Sequence, residues 1–213
     1  MQHHRVFGGK PEKGNLAGVL RMAARIDDPA ALAYEFIQET KYERIQLLPA
    51  DESLMDLDLS KVEQGTVNSN VLRYLVERVR ADYDYILIDC PPAFNAASAA
   101  ALIAADDVII PIKLDAFSLR GMTNLMRQVR NMGRINPRLR VSGVLPTMWY
   151  KDPEIVASES TLRQAGFRVF HHIRRSDKVD KMTFQQDPLL ASSPKSGASV
   201  DYRKFVKQYM GGK

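Results

Sequence analysis

The 213-residue sequence contains one cysteine, Cys90, and no apolar run that approaches the roughly 20 residues of a membrane-spanning helix. A single cysteine excludes an internal disulfide framework and fits a reducing compartment. The sequence also lacks a charged-then-apolar leader and internal repeats. These absences exclude disulfide-stabilised secreted modules and membrane-spanning proteins. They predict a cytoplasmic protein in which Cys90 is a small buried residue at a strand end.

Charge is distributed unevenly along the chain, whose formal net charge is +5. Residues 1–112 carry 11 Lys and Arg against 17 Asp and Glu, a net of −6. Residues 113–213 carry 19 against 8, a net of +11. This asymmetry indicates a basic surface on the C-terminal half that can meet phosphate backbones. The alternatives are that the two halves attract each other or that dimers pair head to tail.

The stretch 83–92, Tyr-Asp-Tyr-Ile-Leu-Ile-Asp-Cys-Pro-Pro, has the pattern of a buried parallel strand with a functional end. Residues 85–88 are apolar without a polar break, which suits a strand buried on both faces. Asp89 closes the run, and the two prolines after Cys90 forbid further strand pairing. Open α/β sheets place ligands at such strand ends, and in nucleotide-binding sheets an aspartate there holds Mg²⁺ through water. The alternative is a solvated aspartate at a plain strand end.

Helical and strand patterns alternate along the rest of the chain. The patterns predict helices over 16–23, 29–37, 70–81, 96–105, 118–133, 153–165 and 202–209, and strands over 44–50, 85–89, 108–112, 141–145 and 169–173. Asn15 and Ser118 are the predicted N-caps of two of these helices, and residues 185–199 are predicted to form a loop. Strands that alternate with helices predict a doubly wound α/β fold with a mostly parallel sheet.

Several motifs keep a fixed order along the chain and carry a family resemblance. They occupy residues 37–54, 83–92, 108–111, 115–121, 143–148, 173–176 and 193–198. With these motifs the chain resembles the ParA/Soj branch of the ParA–MinD ATPases, which segregate plasmids and chromosomes, over about residues 16–210. The resemblance implies a sheet of the P-loop NTPase type. It also implies one nucleotide-binding domain of the CobQ–CobB–MinD–ParA type over residues 1–213. The first dozen residues show no periodicity, so residues 1–14 are predicted to be flexible.

The sequence departs from this family at its phosphate loop. Members open with a strand and a Gly-rich loop ending in Gly-Lys-Thr, which cradles the nucleotide phosphates. The nearest segment, residues 9–16, has two glycines at the loop's spacing, but Asn15 and Leu16 stand where Lys and Ser or Thr are needed. We therefore expect the first strand–loop–helix–strand portion to be missing. Its loss would leave backbone N–H and C=O groups of buried strands without a pairing strand. This predicts a rearranged sheet, strand exchange with a neighbour or a marginally stable fragment.

The resemblance also implies nucleotide-site roles for individual residues. Asp89 matches the family's Mg²⁺-associated aspartate, and Asp115 matches an acidic residue near the nucleotide and the dimer interface; both are candidate catalytic residues. Thr147 and Met148 match the segment that lines the adenine pocket. Intact members bind ATP and Mg²⁺, whereas the missing loop leaves open that this chain binds neither.

The resemblance also implies a loop that closes over the nucleotide base. Arg175 and Ser176 match this loop, and Arg174 replaces a proline common there, which puts the details of base contact in doubt. Basic residues around and after the loop are candidates for non-specific DNA contact through phosphates. These are Arg174, Arg175, Lys178, Lys181, Lys195, Arg203, Lys204 and Lys207.

The resemblance implies that ATP drives a homodimer that binds DNA on the nucleoid, and that a ParB-like partner triggers hydrolysis and release. We expect the chain as given to lack ATPase activity, because the phosphate loop supplies most of the positioning and charge stabilisation. One alternative is a non-catalytic module that binds DNA or a partner without cycling. Another is a MinD-like positioning ATPase with a membrane-targeting helix. The terminal segment 202–210 is short and intersperses polar with apolar residues, which does not favour membrane binding.

Overall fold

The computed structural model describes residues 14–22, 33–54, 69–91 and 94–211. These residues fall into two compact units. Unit 1 holds the described residues up to Asp106 together with Met132–Leu139, and unit 2 holds Asp107–Asn131 with the described residues from Arg140 onward. Residues 1–13 of the segment predicted to be flexible, and the predicted helix start at Pro29, lie outside the described residues. Within the described ranges, no helix is long and apolar enough to cross a membrane.

Unit 1 is mainly helical. Its elements are α1 (Leu16–Met22), α2 (Ala33–Phe36), β1 (Gln38–Glu39), β2 (Gln46–Leu47), a 3-10 turn (Glu52–Leu54), α3 (Val71–Val79), a second 3-10 turn (Arg80–Asp82) and α4 (Ala96–Ala104). β1 and β2 pair antiparallel, with Gln38 opposite Leu47. The predicted cap of α1 is confirmed, because the Gly18 N–H donates to Asn15 Oδ1 at 2.9 Å. The predicted helices over 70–81 and 96–105 are confirmed to within three residues at each end.

The core of unit 1 lies between α1, α3 and α4. Val19 and Leu20 of α1 and Val71 and Leu75 of α3 are buried in it. Every residue of α4 is buried, because a sequence made largely of alanine lets neighbouring elements approach closely. Asn95 caps α4, accepting a hydrogen bond from the Ser98 N–H at 3.0 Å.

Residues 85–88 do not form the predicted buried strand. In the part of the chain that the structure describes, they belong to no sheet. The side chain of Leu87 is 90% exposed, and Tyr85 and Ile86 are also exposed. A strand is buried on both faces only where neighbouring strands complete its ladder and helices cover it, and the described sheets pair only β1 with β2 and β3 with β4. Cys90, predicted to be buried, is likewise exposed.

Unit 2 has the α/β architecture that the sequence predicts. Its elements are β3 (Asp107–Lys113), α5 (Ala116–Gly133, whose last two residues belong to unit 1), β4 (Arg140–Thr147), α6 (Pro153–Gln164), α7 (Asp177–Gln185), α8 (Leu189–Ser192) and α9 (Gly197–Met210). β3 and β4 pair in parallel, with Pro111 opposite Leu145 and Lys113 opposite Thr147. The predicted strands over 108–112 and 141–145 are therefore confirmed.

The segment 168–175 lines the other edge of β4. The Phe170 N–H donates to the Val144 carbonyl at 2.9 Å, and the Ile173 N–H donates to the Pro146 carbonyl at 2.8 Å. The predicted strand over 169–173 is thus reduced to these bonds and to isolated bridges. Backbone N–H and C=O groups point to alternate edges along a strand, so those of Leu145 point toward β3. Pro111 lies opposite Leu145, and its nitrogen therefore points to the outer edge of β3.

Two helix starts in unit 2 differ from prediction because of local caps. α5 begins at Ala116, since Asp115 rather than Ser118 caps it. α9 begins at Gly197, five residues earlier than predicted, because the Ser199 N–H donates to Ser196 Oγ at 3.2 Å. The segment 185–199, predicted as a loop, contains the short helix α8. Helix α7 was not predicted.

Candidate functional site

The carboxyl ends of β3 and β4 bring two predicted site residues to one edge of the sheet. Thr147 is the last residue of β4 and lies opposite Lys113, the last residue of β3, and Asp115 follows two residues later. The Thr147 hydroxyl donates to the Ile112 carbonyl at 3.4 Å, which ties the side chain to the neighbouring strand. Ligands of open α/β sheets bind at this kind of edge.

Asp115 has a capping role at this edge. Its carboxylate accepts a hydrogen bond from the Ser118 N–H at 2.9 Å and pairs with Lys113 Nζ at 3.2 Å. The backbone and side chain of Ser118, followed by Lys113, hold the pKa of Asp115 below its ordinary value. The carboxylate is therefore ionised at neutral pH, and it can accept hydrogen bonds but cannot serve as a general acid. Its assignment as a catalytic residue stays a prediction.

The two predicted base-binding segments run side by side. The Trp149 N–H donates to the Ile173 carbonyl at 3.0 Å, and the Arg175 N–H donates to the Trp149 carbonyl at 2.8 Å. Met148 lies in this segment with a φ of 52°, the left-handed region that non-glycine residues rarely adopt. Its side chain is 51% exposed. Backbone strain of this kind costs about 1–2 kcal/mol and is common at ligand-contacting turns.

Ser176 ends the second segment and begins α7. Its hydroxyl accepts a hydrogen bond from the Lys178 N–H at 3.3 Å, so it serves as the N-cap of the helix. Asp177 and Asp180 lie in the first turn of α7, where carboxylates interact favourably with the helix dipole. Local capping thus fixes the position at which the chain leaves the loop.

A column of rings packs beside Met148. The rings of Trp149 and His172 are parallel to within 5° with centroids 3.7 Å apart, and His171 stacks on His172 at 5.0 Å. Burial lowers the pKa of His172, and Glu159, 3.6 Å from its Nδ1, only partly offsets that effect. The column leads to Asp201, whose Oδ1 lies 3.2 Å from His171 Nε2.

Arg174 is bound to a buried carboxylate. Its Nε donates to Asp201 Oδ2 at 2.6 Å, its Nη2 donates to Oδ1 at 2.8 Å, and its backbone N–H donates to Oδ2 at 3.1 Å. Asp201 is fully buried in α9. Burial raises the pKa of Asp201, but the side chain and backbone of Arg174, with His171, outweigh burial and bring it to about 2. The pair therefore holds α9 against segment 168–175, and nothing in the local sequence of either residue predicted this contact.

The other predicted DNA-contacting residues are exposed. They are Arg175, Lys178, Lys181, Lys195, Arg203, Lys204 and Lys207. The last three lie on α9, whose only carboxylate, that of Asp201, is buried. Arg203 Nη1 donates to the Pro194 carbonyl at 2.6 Å. The solvent-facing side of α9, which we call the α9 basic face (Arg203, Lys204 and Lys207), therefore presents cations without an acidic residue.

Asp89 belongs to unit 1, where it is exposed. In the described ranges, no three His, Cys, Asp or Glu side chains cluster as a metal site. Proteins hold Mg²⁺ in nucleotide sites through one or two carboxylates completed by phosphates and water. The sequence also contains no Gly-Lys-Ser or Gly-Lys-Thr. The assignments of Asp89 and Asp115 to a magnesium–nucleotide site therefore stay predictions.

Comparison with known proteins gives the family. The family described as AAA domain matches residues 15–141. The chromosome partitioning protein ParA of Caulobacter vibrioides is 32% identical over 178 residues, which are 80% of this chain and 66% of that protein. Two solved structures share the fold. Apo McdA from Cyanothece has a TM-score of 0.80 at 18% identity, over 98% of this chain and 82% of that one. MinD from Pyrococcus horikoshii complexed with Mg-ADP has a TM-score of 0.71 at 16% identity, over 96% and 76%. The chain belongs to the ParA–MinD family of ATPases.

Proposed function

We propose that this chain serves DNA partitioning as a non-specific DNA-binding switch that responds to ATP and forms a homodimer on the nucleoid. A ParB-like partner would trigger its release. The observation that carries this proposal is the α9 basic face, which presents three cations while the helix's only carboxylate is buried against Arg174. The relative named chromosome partitioning protein ParA supports the biological setting.

The α9 basic face suits contact with phosphates rather than reading of bases. Arg203 and Lys207 are four residues apart and lie on one side of the helix, with Lys204 beside them. Cations in such an array release counterions from DNA, which gives affinity without sequence specificity. Arg175, Lys178, Lys181 and Lys195 extend the proposed contact set. Arg174 is left out of this set because it binds Asp201.

The nucleotide would be bound by the carboxyl edge of the sheet and the loop beside it. We assign Thr147, Met148, Arg175 and Ser176 to the base. By the family resemblance, Asp115 keeps its assignment near the nucleotide, and Asp89, in unit 1, keeps its assignment to Mg²⁺. The Mg-ADP bound to the MinD structure supports this class of ligand. Because the chain lacks a Gly-Lys-Thr loop, we propose that it does not hydrolyse ATP alone.

That same lack of a phosphate loop favours a second candidate, a non-catalytic module that holds DNA or a partner and never cycles. Nucleotide dependence separates the two functions. A ligand shifts a conformational equilibrium only by its differential affinity for the two states. The DNA affinity of a switch therefore changes when ATP and Mg²⁺ are added, whereas that of a passive module does not.

The test is fluorescence anisotropy of a labelled DNA duplex, titrated with the chain in the presence and absence of ATP and Mg²⁺. Lys204→Gln with Lys207→Gln should weaken binding and reduce the slope of log affinity against log salt by about 2, near 0.9 for each lost phosphate contact. Lys41→Gln with Lys151→Gln removes the same charge from exposed sites elsewhere and is the matched control. An equal effect of both pairs would contradict the α9 assignment, and equal affinity with and without ATP would select the passive module.

A further inference from the structure

Helix α5 has one fully polar face that the predicted DNA-contacting set does not include. Its 18 residues span about 27 Å at about 1.5 Å per residue. Arg120, Asn124, Arg127 and Asn131 recur at spacings of four, three and four residues, and Arg130 lies beside them. All five are exposed. We call these five residues the α5 arginine face.

The face lies opposite the helix's buried side. Met122 and Val129 are buried, seven residues apart, and Met122 packs in the core of unit 2. Arg120 and Arg127 are also seven residues apart, two turns of helix, and point the other way at a separation of about 10 Å along the axis. Packing therefore fixes the direction of the face, and the rigid helix sets the spacing of its cations.

Within the described ranges, the arginines of this face have no acidic partners. The sequence of α5 contains neither Asp nor Glu. Among the residues that the structure describes, Arg120, Arg127 and Arg130 form no ion pair with a carboxylate; Arg127 donates to Asn124 Oδ1 at 3.2 Å and Arg130 to the Met126 carbonyl at 3.3 Å. By contrast, Lys178 and Lys181 of α7 alternate with Asp177 and Asp180. Like charges this close on one helix oppose its formation slightly, so the face is not arranged for stability.

The chemistry of the face selects among anionic partners. An interfacial helix needs apolar side chains next to its cations, and the exposed apolar side chain of α5 is Phe117, at its first turn. Single-stranded nucleic acid is usually held by several stacked aromatic rings, which the face lacks. Guanidinium and amide donors in a straight row match the phosphates along a double helix.

We infer that the α5 arginine face is a second contact surface for the phosphate backbone of a nucleic-acid double helix. The inference rests on the proposed function for its class of ligand, but it places the contact on a different helix from the α9 basic face. A chain with two such surfaces holds a duplex by more contacts than α9 alone supplies. Its affinity therefore falls more steeply with salt.

The experiment compares salt dependence of duplex binding by anisotropy for four forms of the full chain. In Arg120→Gln/Arg127→Gln/Arg130→Gln, the slope of log affinity against log salt should fall by about 2.7, near 0.9 for each contact. The matching triple Lys variant should keep most of the slope, because an ammonium retains the charge. The triple Gln variant of Lys41, Arg44 and Lys151, which are exposed elsewhere, should keep the wild-type slope. All substituted sites are on the surface, and equal melting temperatures would show that each variant folds.

The outcomes separate this inference from the proposed function. An unchanged slope in the α5 Gln variant would overturn the inference, while a loss in the Lys204→Gln/Lys207→Gln variant would still support the α9 basic face. The reverse pattern would support the α5 face and reject the α9 assignment.

The control variant and other anionic ligands test the specificity of the face. An equal loss of slope in the α5 and control triple variants would show that only net charge matters, and it would overturn the inference. Binding of anionic vesicles that depends on the α5 arginines, without loss of duplex binding, would also overturn it. A similar slope change with an RNA duplex would support recognition of the backbone.

Discussion

At the scale of single residues, the Asp201 carboxylate is buried and has four polar contacts. It accepts three hydrogen bonds from Arg174 and lies within 3.2 Å of His171 Nε2. A buried charge is tolerated only when it is paired and hydrogen-bonded. The Arg174 side chain covers Gly197, where an added Cβ would lie 2.7 Å from its Cδ, so the start of α9 depends on this pair as well.

Asp201→Ala should lower the free energy of unfolding by about 2–3 kcal/mol, because it leaves Arg174 without its carboxylate partner and removes charge-assisted hydrogen bonds. The value stays below that for a fully buried pair because the Arg174 side chain is 51% exposed and can hydrate. Urea denaturation measures the change. Asp84→Ala removes an exposed carboxylate and should stay within about 0.5 kcal/mol of wild type. Equal effects of the two substitutions would contradict the structural role of Asp201.

Asp201 should also make stability depend on acid pH. Its folded pKa is about 2, below the ordinary value of about 3.9 for an unfolded aspartate. The unfolded state therefore binds more protons between these values, and stability falls as pH falls through this window. The stabilisation is fully present above about pH 5 and is lost progressively down to about pH 1. Urea midpoints measured across this range should fall less steeply in Asp201→Asn than in wild type. Parallel curves would contradict the assignment.

At the scale of elements, substitution of a leucine should affect stability differently in segment 85–88 and in strand β4. Leu145→Ala in β4 removes a side chain that is 6% exposed and should cost about 2–5 kcal/mol. Leu87→Ala should change stability by less than about 0.5 kcal/mol, because that side chain is 90% exposed. Chemical denaturation of both variants gives the comparison. A loss for Leu87→Ala as large as that for Leu145→Ala would show that residues 85–88 are buried in solution.

The elements also show what the sequence could and could not predict. The helix over 70–81 and the strands over 108–112 and 141–145 were found because their patterns are local. Residues 85–88 have an equally clear strand pattern, but burial depends on neighbours that a pattern does not contain. The cap of α5 was misplaced by three residues because Asp115 and Ser118 are both good N-caps. At the site, the family resemblance pointed to residues 147–148 and 175–176, whereas the pairing of Arg174 with Asp201, 27 residues away, has no local signal.

At the scale of the whole molecule, a sequence that contains no Gly-Lys-Ser or Gly-Lys-Thr leads to one prediction about catalysis. The purified chain should show no ATP turnover above background with Mg²⁺, because no Gly-Lys-Thr loop holds the phosphates. Asp89→Ala should leave this background unchanged. A coupled phosphate-release assay measures both forms. Turnover by the wild type that Asp89→Ala abolishes would contradict the proposal.

Pro111 affects how the molecule behaves at high concentration. Its nitrogen faces the outer edge of β3 and carries no proton, so the row of amide donors along that edge has a gap near the middle. An unbroken row of donors on an exposed edge is a template on which other chains can add and grow into fibrils. The gap makes such growth from β3 less favourable, and it protects this sheet, in which the described residues form two strands, against self-association in a crowded solution.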